Sequence, residues 1–541
     1  MEKTMKRTFG IVCLLTLTLG MTSCSKQNTK TLGNDELRDK IAGGWAGKMI
    51  GVAYGAPTEF RARGETYEKE IEWEPSFVAN SLRQDDIYVQ LSFMMAMDKY
   101  GIDAPAHIFA ESFATAGYRL WHANVQARKN FFDGIMPPQS GSPEFNLHAD
   151  DIDFQIEADY IGFMCPGMPQ AANKIADKVG HIMNYGDGVY GGMYVAALYS
   201  EAFFETDITK IVDHALLSIP EESGYAKCIR DVIALHAAYP GDWRTAWQKL
   251  EDKWGNVDIC GALEPFNIDA KLNGAYIVMG LLYGGGDFAK TLEISTRCGQ
   301  DSDCNPSNAA AVIGVINGYS GIPEKWKSGI TSIADSLIIF TDYSFNSAVD
   351  NTVKYAQKII EINGGKVTGN GVKIFVQEPV APPLEDAFPN VVPSYLTSVF
   401  DEKGWEWQGD WNVLTVTQRD TGKKIPTARY TGKTGAEVKF TFTGTGVVLR
   451  GDWRKDGGQA DIYVDGEFHR KIDTYYFWAN EEKHNSFLWH VMGLEPGEHT
   501  VSLVVNGLKK PQSIGTQIYL KGATVFKTGT KKNETVDLTI K

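Results

Sequence analysis

The stretch Asp301-Ser302-Asp303-Cys304-Asn305-Pro306 places two carboxylates immediately before a run of helical period. The apolar residues of that run have the spacing of one helix face and are Ala309, Val312, Ile313 and Ile316. Pro306 suits the first turn of a helix, and Asn305 suits its N-cap. The stretch therefore predicts a helix whose start carries two aspartates.

A second segment, Gln84-Asp85-Asp86, repeats this arrangement much earlier in the chain. Its apolar residues are Ile87, Leu91, Met94 and Met95. Carboxylates at two helix starts can converge on one place, and hard oxygen ligands of this kind hold Mg²⁺ or Ca²⁺. Either pair alone is equally well explained as helix capping. The two pairs together, with the residues around them, favour a metal site.

The region from residue 34 to 363 has a helical pattern nearly throughout. No strand pattern alternates with the helices, which predicts an all-α domain and not a doubly wound sheet. The first helix contains glycines at three- and four-residue spacing, namely Gly43, Gly44, Gly47, Gly51 and Gly55. Each of them weakens a helix by about 1 kcal/mol relative to alanine. They are accounted for if a neighbouring helix or a ligand approaches the backbone closely.

Beyond the helical region the pattern changes to strands. Residues 364–395 are predicted to form a small hairpin around Gly369-Asn370-Gly371 and then a Pro-rich linker. From 396 to 530, apolar and polar residues alternate, and Asp465-Gly466 is a strong hairpin turn. The chain is therefore predicted to be multidomain, with an antiparallel, jelly-roll-like β-sandwich after the helical domain and a short tail at 531–541.

The N-terminus has the pattern of a targeting segment. A basic start is followed by a short apolar run from Phe9 to Met21, which is too short for a stable membrane-spanning helix. Met21-Thr22-Ser23-Cys24 resembles the lipobox of bacterial lipoproteins, in which the chain is cut before the cysteine and the cysteine is lipidated. We predict a signal peptide at 1–23, a tether at 24–33 and a lipid anchor at Cys24 that holds the protein on a bacterial membrane, facing the periplasm or the cell surface. The alternative is an ordinary secretory signal with a chance cysteine.

Composition narrows the class of protein further. A chain of 541 residues should contain two or three domains, and 43% hydrophobic and 11% aromatic residues are typical of a globular protein. The formal net charge of −14 gives no basic surface for a nucleic acid. Five cysteines without regular spacing follow the signal, which argues against a disulfide framework. The chain has no CxxC pair, which argues against a structural zinc site.

The helical domain resembles the ADP-ribosylglycohydrolase family in four stretches that occur in the family's order. They are Gly51–Glu59, Gln84–Asp86, Gly299–Asp303 and the closing run Gly314–Pro323. Members of that family hold two Mg²⁺ ions between an early Thr-Asp-Asp and a late Asp-x-Asp motif, beside a glutamate. The resemblance implies that Asp85, Asp86, Asp301 and Asp303 bind metal. It implies catalytic roles for Glu59, Asp85 and Asp301.

The sequence departs from the family pattern at several positions. Gln84 replaces the usual threonine, although its amide oxygen could still bind metal, and Cys304 replaces a later hydroxyl. A thiol is a poor Mg²⁺ ligand, so the site is expected to hold one or two ions. The family's Asn-Gly, Met-Arg and Thr-His patterns are not recognisable in the middle of the domain. The residues predicted to line the substrate pocket are Asp153, Asn184, Asp187 and Tyr190; for Asp153 and Asp187, an acidic helix surface is an equal alternative.

Two functions follow from these observations. The first is an exported, metal-dependent glycosidase acting on a ribosyl or ADP-ribosyl conjugate, or on a furanosidic or other carbohydrate, with Glu59 activating water or protonating the leaving group. The second is a non-catalytic glycan-binding lipoprotein with a decayed hydrolase domain. Its support is that the C-terminal region resembles galactose-binding-like modules. The aromatic residues there either stack on sugars or form the core; they are Trp453, Tyr475, Tyr476, Trp478 and Trp489.

Overall fold

The computed structural model describes residues 28–420 and 422–529. Within these ranges the predicted all-α domain is confirmed. Its helices up to the middle of the domain are α1 Asn34–Gly55, α2 Asp85–Tyr100, α3 Ala106–Thr115, α4 His122–Phe132, α5 Asp153–Ile156, α6 Asp159–Met164, α7 Pro169–Gly180, α8 Asp187–Ala202 and α9 Ile208–Ala215. The later helices are α10 Gly224–Ala238, α11 Trp243–Trp254, α12 Ala270–Gly284, α13 Phe288–Arg297, α14 Cys304–Gly321, α15 Glu324–Lys327, α16 Ile330–Ile333 and α17 Phe345–Ile362. Four short 3₁₀ turns lie between them, at Ala56–Thr58, Pro75–Arg83, Gln139–Gly141 and Leu216–Ser218.

The glycines of α1 are explained by the close packing of this helix on α14. A Cβ atom on Gly43 would lie 2.0 Å from the Gly314 carbonyl oxygen, and one on Gly47 would lie 2.3 Å from the Ala310 carbonyl oxygen. Such distances are far inside van der Waals contact, so no side chain fits between the two backbones. The expectation that a neighbouring helix approaches α1 closely is confirmed, and this packing fixes where α14 begins.

The start of α14 differs by two residues from the prediction. Asp303, and not Asn305, is the N-cap residue, and its carboxylate accepts the backbone N–H of Cys304 at 2.9 Å. Asn305 lies inside the first turn, where its side chain donates to Asn273 Oδ1 at 3.0 Å. Pro306 is in the first turn, as predicted.

A small sheet lies beside the helices. The predicted hairpin is confirmed as β2 Lys366–Thr368 and β3 Gly371–Phe375, and β3 also pairs with an N-terminal strand, β1 Thr29–Gly33. The prediction of a tether over 24–33 is therefore wrong for its last five residues, because their backbone groups are held in an antiparallel ladder. Residues 1–27, including Cys24, lie outside the described residues.

The Pro-rich segment after β3 lies along the helical domain. The Gln377 N–H donates to the Gly167 carbonyl oxygen at 2.9 Å. The Tyr190 hydroxyl donates to the Pro383 carbonyl oxygen at 3.0 Å and accepts from the Glu385 N–H at 2.6 Å. The linker predicted to extend to residue 395 ends earlier, because strand β4 begins at Val391.

The C-terminal domain is antiparallel, and its strands join in one nine-stranded curled sheet. The strands are β4 Val391–Ser398, β5 Trp405–Gln408, β6 Asn412–Thr417, β7 Lys424–Thr431, β8 Glu437–Trp453, β9 Gln459–Val464, β10 Glu467–Asp473, β11 Lys483–Val505 and β12 Ile518–Thr528. The long strands β8 and β11 pair along most of their length, with three register shifts, of which the last lies between Met492 and Gly497. The curl brings apolar side chains into one core, among them Val438, Phe440, Leu449, Ile462 and Leu503.

The sheet domain is docked on the segments that surround α4. Trp478 Nε1 donates to the Ala116 carbonyl oxygen at 2.7 Å, and Lys483 Nζ donates to the Leu120 carbonyl oxygen at 2.6 Å. An apolar cluster drawn from both domains includes Leu147, Ile259, Phe388, Val448 and Phe526. The two domains therefore share a packed interface close to α4 and α5.

This docking decides between the two interpretations for most of the C-terminal aromatic residues. Trp453, Tyr476 and Trp489 are each 3% exposed and belong to the core. Trp478 packs on Phe132 of the helical domain, with ring centroids 4.8 Å apart. These four side chains are therefore structural rather than free sugar-stacking platforms.

The described residues contain no helix that is long and apolar enough to cross a bilayer. The five cysteines in the described ranges are free thiols, as the irregular spacing predicted. They are Cys165, Cys228, Cys260, Cys298 and Cys304.

Candidate active site

Carboxylates from three separate segments of the chain meet in one acidic centre. Ligand atoms of Glu59, Asp301 and Asp303 all lie within 4.8 Å of one another, and so do those of Asp86, Asp303 and Cys304. Asp303 belongs to both groups and joins the start of α2 to the start of α14. The predicted convergence of the two helix starts is confirmed.

Local backbone geometry holds the loop before α14 against the end of α1. The Phe60 N–H donates to the Gln300 carbonyl oxygen at 2.9 Å, and the Gln300 N–H donates to the Ala62 carbonyl oxygen at 2.8 Å. The hydroxyls of Thr58 and Ser302 are 2.7 Å apart. Gln300 has φ +53°, a conformation that a non-glycine residue adopts only when its surroundings enforce it. These contacts place Glu59 beside Asp301.

Asp301 is the clearest sign of a bound cation. Its side chain is 5% exposed, and its buried Oδ1 has no hydrogen-bond partner among the described residues. Buried carboxylate oxygens are normally paired, because an unpaired one carries the full penalty of desolvation. Together with Asp303 and Glu59 it offers hard oxygen donors to a cation of the Mg²⁺ class. The described acidic groups therefore fit a metal ion.

The electrostatics of the centre point in the same direction. Burial, with the charges of Asp301 and Asp86, raises the pKa of Glu59 to about 7, although the residue keeps access to solvent. Burial, partly offset by a hydrogen bond from Asp303, raises the pKa of Asp301 to about 6. Burial and neighbouring carboxylates raise the pKa values of Asp85 and Asp303 well above their usual range. Like charges at this density require protons or a cation.

Asp86 differs from the other carboxylates because a buried cation already faces it. The Lys48 ammonium lies 3.5 Å from Asp86 Oδ1 and 2.8 Å from Asp159 Oδ2, and all three side chains are fully buried. Cys304 Sγ donates to Asp86 Oδ2 at 3.2 Å. Asp86 thus shares one buried ammonium with Asp159, and its carboxylate oxygens already have partners within the protein. The sequence analysis missed Lys48. The available signal was a single charged residue within the mostly small and apolar residues of α1.

The raised pKa values predict how the metal-free protein responds to pH. Glu59 and Asp301 have ordinary pKa values of 4.5 and 3.8, so above these the folded centre holds protons that the unfolded chain has released. We expect the free energy of unfolding to fall as pH rises from about 4 to about 7. Chemical denaturation at several pH values in EDTA measures this slope.

The matched variant for this measurement is Glu59→Gln, which cannot titrate. It should show a shallower fall between about pH 4.5 and 7 than the wild type, because one proton-binding group is gone. Added Mg²⁺ should flatten the wild-type curve in the same range. Identical slopes for the wild type and Glu59→Gln would contradict the raised pKa of Glu59.

The other residues predicted for the site have different surroundings. Asp153 accepts the N–H groups of Ala123 and Asn124 at 3.2 and 3.0 Å, at the start of α4. Burial raises its pKa to about 7, and the charge of Asp301 adds to this effect. Asp153 therefore borders the acidic centre. Gln84 is the N-cap residue of α2, and metal binding by its amide oxygen stays a prediction.

Asn184 and Tyr190 have structural roles in place of the predicted substrate contacts. The Asn184 side chain accepts the Phe154 N–H and donates to the Ala149 and Asp151 carbonyl oxygens. Tyr190 is 1% exposed, and its hydroxyl is held by the linker. Both side chains are occupied by backbone groups, so neither is free to bind a substrate.

Asp187 is half-buried and lies at a different place in the domain. It accepts the Tyr225 N–H at 2.9 Å and lies 3.4 Å from Lys271 Nζ. It lines a cavity of about 250 Å³ between α10 and the linker. The structure does not bring Asp187 into the acidic cluster.

A cavity of about 300 Å³ lies where the two domains meet. Its lining combines His122, His148 and Phe266 of the helical domain with Arg450 and Lys483 of the sheet domain. The Phe266 ring stacks on His122 with centroids 5.8 Å apart, and it packs on Phe60 with centroids 5.1 Å apart. Phe60 directly follows Glu59 in the chain. Phe266, which lines the cavity, therefore packs on the residue next to Glu59.

Comparison with known proteins gives a family and two partial relatives. Residues 33–351 match the family model described as ADP-ribosylglycohydrolase. A stretch of 165 residues is 28% identical to an A type blood N-acetyl-alpha-D-galactosamine deacetylase of Flavonifractor plautii, covering 29% of this chain and 19% of that protein. A stretch of 79 residues is 38% identical to an A type blood alpha-D-galactosamine galactosaminidase of the same organism, covering 15% and 7%. The chain thus spans less than a fifth of the length of either relative.

Among solved structures, an ADP-ribosylglycohydrolase-related protein complex is similar to this chain with a TM-score of 0.41. The two share 14% sequence identity, over 60% of this chain and 98% of that one.

Proposed function

Since the chain belongs to the ADP-ribosylglycohydrolase family, we propose that it is a divalent-cation-dependent glycosidase whose substrate is a carbohydrate. The observation that carries this proposal is the acidic centre, in which a buried oxygen of Asp301 is left without a partner beside Asp303 and Glu59. We further propose that the protein is exported and lipid-anchored at Cys24.

The donor set fits one hard cation better than two. Glu59, Asp301 and Asp303 offer oxygens within 4.8 Å of one another, with Asp85 close enough to be perturbed by Asp301. Asp86 is occupied by Lys48 and by the Cys304 thiol, which is a poor ligand for Mg²⁺. When bound, an ion of the Mg²⁺ class supplies a positive centre that binds and orients sugar hydroxyls.

Glu59 is the group placed to move a proton. Without the cation its pKa is about 7, in the range that suits a general acid or base. A cation held by Asp301 and Asp303 lowers this pKa and leaves the Glu59 carboxyl free to transfer a proton. It keeps access to solvent, so it can reach a water molecule or a leaving group. Asp301 and Asp303 present negative charge next to it, which stabilises the positive charge that develops on a sugar ring during glycosidic cleavage.

A carbohydrate is the favoured substrate because the two partial relatives are named for galactosamine sugars. The family name supports the alternative of a ribosyl or ADP-ribosyl conjugate. Both classes offer neighbouring hydroxyls and a glycosidic bond, so the same centre can act on either.

The test is a hydrolase screen of the soluble, non-lipidated protein, with and without EDTA. The panel should combine galactosaminides, furanosides and pyranosides with ADP-ribosyl conjugates. We expect release of sugar from one carbohydrate class and loss of this release in EDTA. Activity should recover when Mg²⁺ is added in excess of EDTA, but not when buffer without a divalent metal is added. Turnover that EDTA leaves unchanged would overturn the metal-dependent assignment.

A non-catalytic, glycan-binding role is the second candidate, and the Lys48 and Cys304 partners of Asp86 favour it, because they compete with a metal ion for this carboxylate. Mg²⁺ titration separates the two functions. Uptake of Mg²⁺ at micromolar concentration supports the enzyme, whereas no uptake at millimolar Mg²⁺ supports a decayed hydrolase domain.

A further inference from the structure

A second group of metal-binding side chains lies outside the acidic centre, in the cavity between the domains. It consists of His122 at the start of α4, together with His148 and Asp151 from the segment before α5. We propose that these three residues bind a transition-metal ion of the Zn²⁺ class. The site is distinct from the Mg²⁺-class site and uses different residues.

The geometry of the three side chains suits one shared ion. Their ligand atoms all lie within 4.8 Å of one another. Asp151 Oδ2 is 2.5 Å from His148 Nδ1 and 3.9 Å from His122 Nδ1. Two ligands at about 2.1 Å from a tetrahedral ion are about 3.4 Å apart, so His148 and Asp151, now joined by a hydrogen bond, have to separate by about 1 Å, and His122 has to approach by about 0.5 Å. Small side-chain rotations therefore bring all three onto one ion.

The burial of Asp151 supplies an independent reason for a cation here. Its side chain is 0% exposed, and its Oδ1 has no hydrogen-bond partner among the described residues. Within the described ranges no lysine or arginine forms an ion pair with this carboxylate. The basic side chains beside it are two histidines, and burial lowers the pKa of both, which favours neutral rings. Burial and the neighbouring carboxylates raise the pKa of Asp151 well above its usual range, so this carboxyl needs a proton or a cation. A metal ion bound by the two rings supplies the cation.

Hydrogen bonds within the protein hold the backbone around the two histidines in place. His122 has φ +42°, a strained conformation that tends to persist at functional sites. The N–H groups of the next two residues are held by Asp153, which stabilises this helix start. The His148 N–H donates to Asn146 Oδ1 at 3.0 Å, and the Asn146 amide is anchored to the Ala123 and Met183 carbonyl oxygens. Such support is typical of residues that must hold a ligand geometry.

The choice of metal follows from the donors. Two imidazoles and one carboxylate suit Zn²⁺ and neighbouring first-row ions, whereas Mg²⁺ prefers oxygen ligands alone. The cavity of about 300 Å³ beside the three residues leaves room for a water or a substrate group as a further ligand. The nearby cation Lys483 is paired with Glu481 at 2.8 Å, which limits its repulsion of a metal.

The test is a Co²⁺ and Zn²⁺ titration of the full chain in millimolar Mg²⁺, which keeps the acidic centre saturated. Co²⁺ reports its own coordination through its visible absorption. We expect one Co²⁺ per chain, with bands displaced by Zn²⁺, in the wild type and in Asp301→Asn. His122→Ala and His148→Ala should each weaken Co²⁺ binding at least about tenfold.

The matched control is His484→Ala, which removes a histidine from the same cavity on the side of the sheet domain. It should bind Co²⁺ like the wild type. A Co²⁺ affinity that His122→Ala and His148→Ala leave unchanged would overturn the site. So would the absence of wild-type binding at about 100 μM Co²⁺.

Folding of the variants is checked by thermal unfolding, and His148→Gln serves if His148→Ala does not fold. Zn²⁺ should raise the melting temperature of the wild type and of Asp301→Asn. A Zn²⁺ shift that is lost in Asp301→Asn but kept in His148→Gln would place the ion in the acidic centre and refute the proposal.

Discussion

Replacing Asp301 by Asn should lower kcat/KM by at least about 10³-fold while the chain stays folded. The substrate for this comparison is the glycoside that the wild-type protein hydrolyses. The substitution keeps the size of the side chain but removes the charge of a carboxylate whose Oδ1 is buried and unpaired. The centre then loses a cation ligand and part of the negative charge that stabilises the transition state. Initial rates at saturating Mg²⁺ measure the effect.

The control for this prediction is Asp103→Asn, an exposed aspartate away from the acidic cluster. It should leave kcat/KM within about twofold of the wild type, as is usual for an exposed side chain without special contacts. In EDTA, Asp301→Asn should unfold at an equal or higher temperature than the wild type, because one buried like charge is gone. Undiminished turnover in folded Asp301→Asn would refute the assignment.

Replacing Gly55 by Ala should lower the free energy of unfolding by about 3 kcal/mol or more and should also weaken cation binding. The new Cβ would lie 2.1 Å from the Ser302 carbonyl oxygen and 2.4 Å from the Asp303 Cα. To relieve this contact, the start of α14 has to move away from α1, and Asp303 moves with it. Chemical denaturation and Mg²⁺ titration measure the two effects.

The backbone conformation of Gly55 makes this test specific for packing. Gly55 has φ −79° and ψ −28°, which any residue adopts in a helix, so alanine would by itself favour the helical form by about 1 kcal/mol. Any loss of stability must therefore be steric. Gly241→Ala is the control, since no atom lies within 4 Å of its added Cβ. Equal stabilities for Gly55→Ala and the wild type would show that α1 and α14 are not packed this closely.

The sequence was sufficient for those features that depend on local periodicity. Two acidic pairs before two helical runs predicted a shared centre, and the structure brings Asp86 and Asp303 together. The glycines of α1 predicted a close neighbour, which is α14. The roles of Glu59, Asp85 and Asp301 in catalysis stay predictions, because geometry alone does not test them.

Features that depend on tertiary contacts could not be read from the sequence. Lys48 gained its role because α1 carries it to Asp86 and Asp159, which come from two other helices. Asn184 and Tyr190 were predicted to bind substrate, but a loop and the linker use their polar groups. The strand at Thr29–Gly33 depends on pairing with a segment more than three hundred residues later. His122 was not singled out, because only the fold places it beside His148 and Asp151.

The central claim is that Asp85 at the start of α2 shares one divalent cation with Asp301 and Asp303 at the start of α14. Calorimetric Mg²⁺ titration of the wild type, Asp85→Asn and Asp303→Asn tests it most directly, since a site built on imidazole binds Mg²⁺ poorly. We predict that the wild type binds Mg²⁺ and that each variant weakens binding at least about tenfold. Mg²⁺ affinities unchanged in both variants would contradict the claim.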